Sequence, residues 1–272
     1  MSSAEFLGLG AFQWVTVVVA MITSLLAADA LAGHYRSGFV SRAQYTPFVS
    51  GALLIIFSVV VTIRPELAWA HIALRGAAWL AIATGVIGFG FHHYYGIVKK
   101  PAGYGWLLYH LMYGAPQLAP LAFIVVGILS LIAVRGMEGR VAIAGLEVRA
   151  ALFTVVAVAL LGAILQAGIL HYRGAFNHPL MYAPLTVPVL AVAASVWAAV
   201  APGGAILTAL AVLLWLTFLT GFIGLGMHLR GLDRQMGGLY VSLFNLLEGP
   251  PAWAPALFAG FAAIGLVAVH LL

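Results

Sequence analysis

An imidazole, a phenol and a guanidinium stand together at the end of an apolar run in His171-Tyr172-Arg173-Gly174-Ala175-Phe176, and the chain carries the same combination earlier as His34-Tyr35-Arg36-Ser37-Gly38-Phe39. The interval is 137 residues. It also relates Tyr45 to Tyr182 and Pro47 to Pro184, so the shared pattern is H-Y-R-x-x-F-x5-Y-x-P. Further on, His93 recurs as His228, Gly96 as Gly231, Gly114 as Gly249, Pro116 as Pro251, Pro120 as Pro255 and Phe123 as Phe258, now at an interval of 135. The expectation is a tandem duplication in which one intervening loop has lost two residues.

The repeated types define the chemistry. His34, His93, His171 and His228 end apolar runs at two equivalent places in each copy. Imidazoles from different helices at one depth are what a bis-histidine haem b or another histidine-ligated metal requires. Histidine at a helix C-terminus also interacts favourably with the dipole there, and a His-Tyr-Arg cluster can anchor a helix among headgroups, so a cofactor-free reading stands beside the first. Arg36 and Arg173 are planar, permanently charged donors suited to a haem propionate, a lipid phosphate or an anionic substrate.

A second set of residues lies beside two interruptions. The apolar runs 105–134 and 239–270 are each broken by glycine and prolines, at Gly114 to Pro120 and at Gly249 to Pro255. Every proline there frees a carbonyl that in lipid must find another donor, and matched breaks in two halves are a pointer to a binding cavity. His110 and Tyr113 precede the first break and share a helix face; Asn245 and Glu248 take their places before the second. A carboxyl within an apolar segment is costly, which makes Glu248 a proton, quinone or ion site candidate. Asp29, five residues before His34, is the other acid of this kind and is matched by Gln166. His71, His178 and His270 have no duplicate and are expected at the surface or among headgroups, and His92 has no evident counterpart.

The positioning elements follow from composition. With 64% hydrophobic and 7% charged residues, the chain has too little polar surface to coat a water-soluble globule of 272 residues. Apolar segments long enough to cross a bilayer fall at 10–33, 47–64, 74–94, 105–134, 148–170, 184–201, 204–228 and 239–270. Runs such as Gly51-Ala52-Leu53-Leu54-Ile55-Ile56-Phe57 do not alternate, which excludes barrel strands. The fold class is therefore an all-α integral membrane protein, with eight transmembrane helices as two tandem parallel four-helix repeats over 1–140 and 141–272. The first segment ends in a signal-like Ala28-Asp29-Ala30, but it has an equivalent in the second copy and lacks a basic leader, so it is expected to be retained.

Four crossings per copy carry His34, Arg36, His93, His171, Arg173 and His228 to one membrane face. Basic residues divide evenly between the two faces once the repeated arginines are set aside, so no orientation is assigned. The absence of cysteine excludes disulfides, thiolate metal sites and covalently attached haem c, and no basic tract supports nucleic-acid binding.

The function the residue types favour is a redox membrane subunit. It would carry haem b or a metal at His34, His93, His171 and His228, with a quinone or proton site at His110, Tyr113, Asn245 and Glu248. Its partners would be the lipid bilayer, a quinone and other subunits of a membrane complex. The expected location is a bacterial cytoplasmic membrane. A transporter or channel using the broken helices, and a cofactor-free scaffold subunit, are the alternatives.

Overall fold

The computed structural model describes residues 5–238, 245–247, 249 and 251–272. The described chain is helical apart from turns and one small hairpin. The helices are α1 Ala11–Arg36, α2 Thr46–Ile63, α3 Ala68–His93, α4 Leu107–Tyr113, α5 Leu121–Met137, α6 Val148–Arg173, α7 Val187–Val200, α8 Gly204–Asp233 and α9 Ala256–His270. Strands β1 Ala142–Ile143 and β2 Leu146–Glu147 pair around Ala144-Gly145, both at positive φ, a tight hairpin the sequence reading missed.

Six helical stretches are long and apolar enough to cross a membrane: Ala11–Arg36, Arg42–Ile63, Ala68–Val98, Val148–Arg173, Pro179–Val200 and Gly204–Asp233. Two more, Leu121–Met137 and Ala256–His270, are apolar but shorter. At 1.5 Å per residue, α5 is only about 25 Å long, a little under the hydrocarbon thickness of roughly 30 Å. The reason is the expected break. The chain leaves helical geometry at Gly114 and re-enters it after Pro120, so the half-helix α4 and the shorter α5 replace one long span. Glycine is needed at the break because a Cβ on Gly114 would lie 2.5 Å from the His110 carbonyl oxygen.

Each long helix follows from a predominantly apolar run, and Pro47 and Pro188 fall in the first turns of α2 and α7, where a helix tolerates them. Helices α1, α2, α3 and α5 form a ring in chain order, each beside the next, with α5 closing against α1. Helices α6, α7, α8 and α9 form a second ring in the same way. The rings meet where α1 packs on α9 and α5 on α6. The interior is correspondingly apolar there, with Val15, Val19 and Ile22 of α1, Leu152, Val156 and Leu160 of α6, Leu129 of α5 and Ile264 of α9 buried in one core.

Close helix approach sets the position of the break. A Cβ on Gly85 of α3 would come within 2.8 Å of the Pro120 carbonyl oxygen and 2.9 Å of the Ile124 nitrogen. One on Gly221 of α8 would lie 2.6 Å from the Ala259 nitrogen and 3.0 Å from the Pro255 carbonyl oxygen. Small residues let the backbones meet where lipid supplies no hydrophobic drive, and they bring the segment before α5 or α9 against the end of α3 or α8. At the opposite end of the first ring, Arg75 clamps Glu138 with two bonds of 2.9 and 3.1 Å. His71, expected at the surface, is instead buried there, with Nε2 2.9 Å from the Pro65 carbonyl oxygen, because α3 begins at Ala68 and carries it inside.

Gly85→Ala is expected to lower stability by roughly 1–3 kcal/mol through overpacking. Gly76→Ala, on the same helix with nothing within 4 Å of its added Cβ, is expected to be neutral or mildly stabilising. Thermal unfolding in detergent measures both, and equal effects would remove the close-approach argument.

Candidate functional site

The helix ends that carry the repeated motif are built alike. After α1 the chain turns through Ser37, Gly38 at φ +74° and Phe39 at φ +49°, and the Phe39 N–H donates to the His34 carbonyl at 3.1 Å. After α6, Ala175 and Phe176 take positive φ, and the Phe176 N–H donates to the His171 carbonyl at 3.1 Å. This hook turns Phe39 onto Tyr45 at 4.8 Å between ring centroids, and Phe176 onto Tyr182 at 4.6 Å, both stacked. The phenylalanine and tyrosine of the motif therefore hold a loop, and the histidine is left facing inward from the helix end.

What the histidines face differs in one respect from the sequence reading. The partner of His34 is His92, with ring centroids 6.2 Å apart, and the partner of His171 is His228, at 6.4 Å. His93 points elsewhere. Its Nε2 lies 2.6 Å from the Tyr104 hydroxyl and its ring stacks on Phe89 at 5.8 Å. Each pair joins helices that are diagonal in their ring, α1 with α3 and α6 with α8, so each sits across the mouth of its own ring. Arg173, at the end of α6 that bears His171, reaches the Met112 carbonyl at 3.4 Å and lies 4.9 Å over the Tyr113 ring. Tyr113 immediately precedes the break that holds His92, so the two pairs open on the same end of the molecule.

Each imidazole is fixed through Nδ1. His92 meets the Pro116 carbonyl at 2.8 Å and His228 meets the Pro251 carbonyl at 2.7 Å. His171 meets the Met181 carbonyl at 2.7 Å. A carbonyl only accepts, so each of these three rings carries a proton on Nδ1 and, in its neutral form, keeps a bare lone pair on Nε2. His34 is different, since its Nδ1 lies 3.2 Å from the side-chain nitrogen of Gln44. Among the described residues nothing hydrogen-bonds to Nε2 of any of the four. Gln117 straps the first break down as well, its amide donating to the carbonyls of His92 at 3.0 Å and Ala115 at 2.9 Å.

The remaining expected residues have positioning contacts. His110 is buried, with Nε2 3.1 Å from the Pro101 carbonyl. Asn245 is buried too and donates to the carbonyls of Met236 at 3.3 Å and Gly238 at 2.7 Å. Both side chains tie a short helical segment to the loop before it. Tyr113 is exposed and packs on Tyr109 at 5.0 Å. Glu248 lies outside the described residues. Arg36 occupies the last turn of α1, and Asp29, half-buried on α1, makes no hydrogen bond to His34. His178 accepts the Leu180 N–H at 3.2 Å and caps the turn before α7. Away from the site, the exposed Glu66 carboxyl is held below its ordinary range by the Arg64 guanidinium beside it.

Among the described residues no three His, Asp or Glu side chains converge as a metal cluster. His34, His93, His171 and His228 are thus not gathered around one centre, and the imidazoles that come together do so two by two. The described helices, by length and hydropathy, define a multi-pass membrane protein. Compared with protein-family models, with curated proteins and with solved structures, the chain matches none.

His228→Leu removes the donor that pairs the half-buried Pro251 carbonyl and is expected to cost about 1 kcal/mol or more, toward the penalty of an unpaired acceptor. His93→Leu loses an exposed bond to Tyr104 and is expected to cost under about 1 kcal/mol. Thermal shift in detergent separates them, and a larger loss at His93 would reverse the assignment of the inward-facing histidine.

Proposed function

We propose that the protein is a duplicated, redox-active membrane subunit that holds haem between paired imidazoles at one face of the bilayer. The observation that carries this reading is the two facing pairs, His34 with His92 and His171 with His228. Three of the four are pinned through Nδ1 to a backbone carbonyl and present Nε2. A backbone carbonyl accepting from Nδ1–H is a usual means of fixing the tautomer and orientation of a metal-ligating histidine. The ring centroids of the two pairs stand 6.2 and 6.4 Å apart, with the rings at 86° and 63° to one another, so one group could be held by both imidazoles of a pair. A bare ion generally needs three or four protein ligands, whereas a porphyrin supplies four of its own and asks the protein for two, so a two-histidine set favours haem. Bound there, the iron supplies one-electron transfer.

The duplication, with each ring as one four-helix unit and eight crossings in all, belongs to the same proposal. Support comes from equivalent details: the stacked Phe39–Tyr45 and Phe176–Tyr182, the close-approach glycines Gly85 and Gly221, and the buried hydroxyls of Ser58 and Ser195, which share the 137-residue interval and both lack a partner among the described residues. The copies differ in length at two places, not one. The turn 64–67 is one residue longer than 201–203, and the π turn Tyr94–Val98 accommodates another residue at the end of α3. Gly85, Gly88 and His92 then correspond to Gly221, Gly224 and His228 at an interval of 136, which is why pairing at 135 selected His93.

Exposed Tyr109, Tyr113 and Arg173 lie at the same end as the pairs, where a quinone headgroup or another subunit would exchange electrons. A transport path between the halves is a second reading, favoured by the broken span at Gly114 to Pro120.

The purified protein is expected to be red, with a Soret band that shifts on dithionite reduction and that is weakened or lost in His171→Ala or His228→Ala but not in His93→Ala. A colourless, iron-free preparation would retire the haem reading. Ion flux into vesicles that survives every histidine substitution would favour the transport path.

A further inference from the structure

The two imidazole pairs are not chemically equal, and the difference lies in one residue. Gln44 occupies the position that Met181 occupies 137 residues later. The Ser41 N–H donates to Gln44 Oε1 at 3.0 Å, and a backbone N–H cannot accept, so the amide oxygen must face Ser41. The amide nitrogen therefore faces the other way, donating to Ser37 Oγ at 2.8 Å and standing 3.2 Å from His34 Nδ1. Ser37 Oγ in turn donates to the His34 carbonyl at 2.8 Å, which leaves its lone pair for Gln44. Every donor in this circuit is used in one direction. His34 Nδ1 is consequently an acceptor, and its proton sits on Nε2.

In the second copy Met181 has no side-chain donor, and its backbone carbonyl takes the Nδ1–H of His171 at 2.7 Å. With His228 held the same way by Pro251, both Nε2 atoms of this pair are bare lone pairs. Two lone pairs can both be taken by an electron-pair acceptor such as a metal ion, with no proton to be moved first, or by the two O–H groups of one water. In the first pair His34 offers Nε2–H and His92 offers a lone pair, which one bridging water can join without an ion.

We propose that Gln44 holds the first imidazole pair in a donor–acceptor form that excludes metal ligation, so that His171 and His228 alone take the haem iron. This rests on the haem reading for the identity of the ligand, but the tautomer assignment does not. Gln44 is a positioning residue. To ligate through Nε2, His34 would have to move its proton to Nδ1, against the Gln44 amide N–H, and the circuit through Ser37 and Ser41 resists the amide flip that would relieve the clash. Haem binding at the first pair is expected to be at least about tenfold weaker than at the second.

The test combines two measurements on the full-length protein in detergent. Nitrogen-15 NMR of labelled histidine, assigned with single His→Gln variants and recorded without haem, should find His34 as the Nε2–H tautomer and His92, His171 and His228 as Nδ1–H. Titration with haemin, followed by pyridine haemochrome quantification, should give one haem per chain, lost in His171→Ala and His228→Ala and retained in His34→Ala. Gln44→Met should turn His34 to Nδ1–H and raise the stoichiometry toward two. His34 found as Nδ1–H in the unaltered protein, or two haems per chain without any substitution, would overturn the role of Gln44. Failure to bind haem at all would overturn the haem reading, while the tautomer spectrum alone would still decide what Gln44 does.

Discussion

A carbonyl freed from a helix inside a bilayer has no water to bond, and much of this structure answers that constraint. The break at Gly114 to Pro120 releases carbonyls, and the segment is held by donors from the end of α3: His92 reaches the Pro116 carbonyl, and the His92 carbonyl is itself bridged by Gln117. At the other ring His228 does the same for the Pro251 carbonyl. A carbonyl left unpaired at such a break costs on the order of 1–3 kcal/mol, so His92 and His228 are each placed first by the needs of the backbone. The second nitrogen of each is then presented at a fixed position at no added ordering cost. The break and the histidines, which as sequence features point to different functions, become parts of one site.

The surrounding elements follow from holding that geometry. Gly85 and Gly221 allow α3 and α8 to touch the backbone at the start of α5 and α9, which sets the distance from the histidine to the break. The hook after α1 and α6, with Phe39 on Tyr45 and Phe176 on Tyr182, brings the residue at position 44 or 181 within reach of the facing histidine. His110 and Asn245 tie down the preceding loops. A loop that shifted by an ångström would lose the Nδ1 bond, and with it the tautomer.

Membrane character, the six long spans and the repeated motif were legible in the sequence because they depend on composition, length and identity at a fixed interval. The partner of His34 was not. His92 and His93 are adjacent and chemically identical, and choosing between them depends on the phase of α3, which the interval of 135 found beyond the π turn Tyr94–Val98 does not report. The glycines Gly85, Gly88 and Gly90, set against Gly221, Gly224 and Gly226, held the signal, since they match at 136 and fix the phase before the insertion. Tautomers were out of reach for another reason. They depend on which atom of a distant loop faces the ring, and Gln44 and Met181 differ in a way that a pattern search treats as divergence. The burial of His71 was missed because α3 begins a turn and a half earlier than hydropathy placed it.

An even number of crossings per copy has a functional consequence under the proposed reading. Both imidazole pairs then lie at the same depth, at one face, and the Arg173 contact to Met112 and Tyr113 is consistent with this. Electron transfer across a bilayer needs carriers at two depths, one near each surface, and parallel copies cannot provide that arrangement. Inverted copies would. On that reading, exchange would run along a single face, between a carrier in one ring and a partner at the exposed aromatic rim of Tyr109 and Tyr113. Duplication in this geometry adds no reach through the membrane. It offers a second site of the same kind, free to diverge, and the change between Gln44 and Met181 falls where such divergence would act.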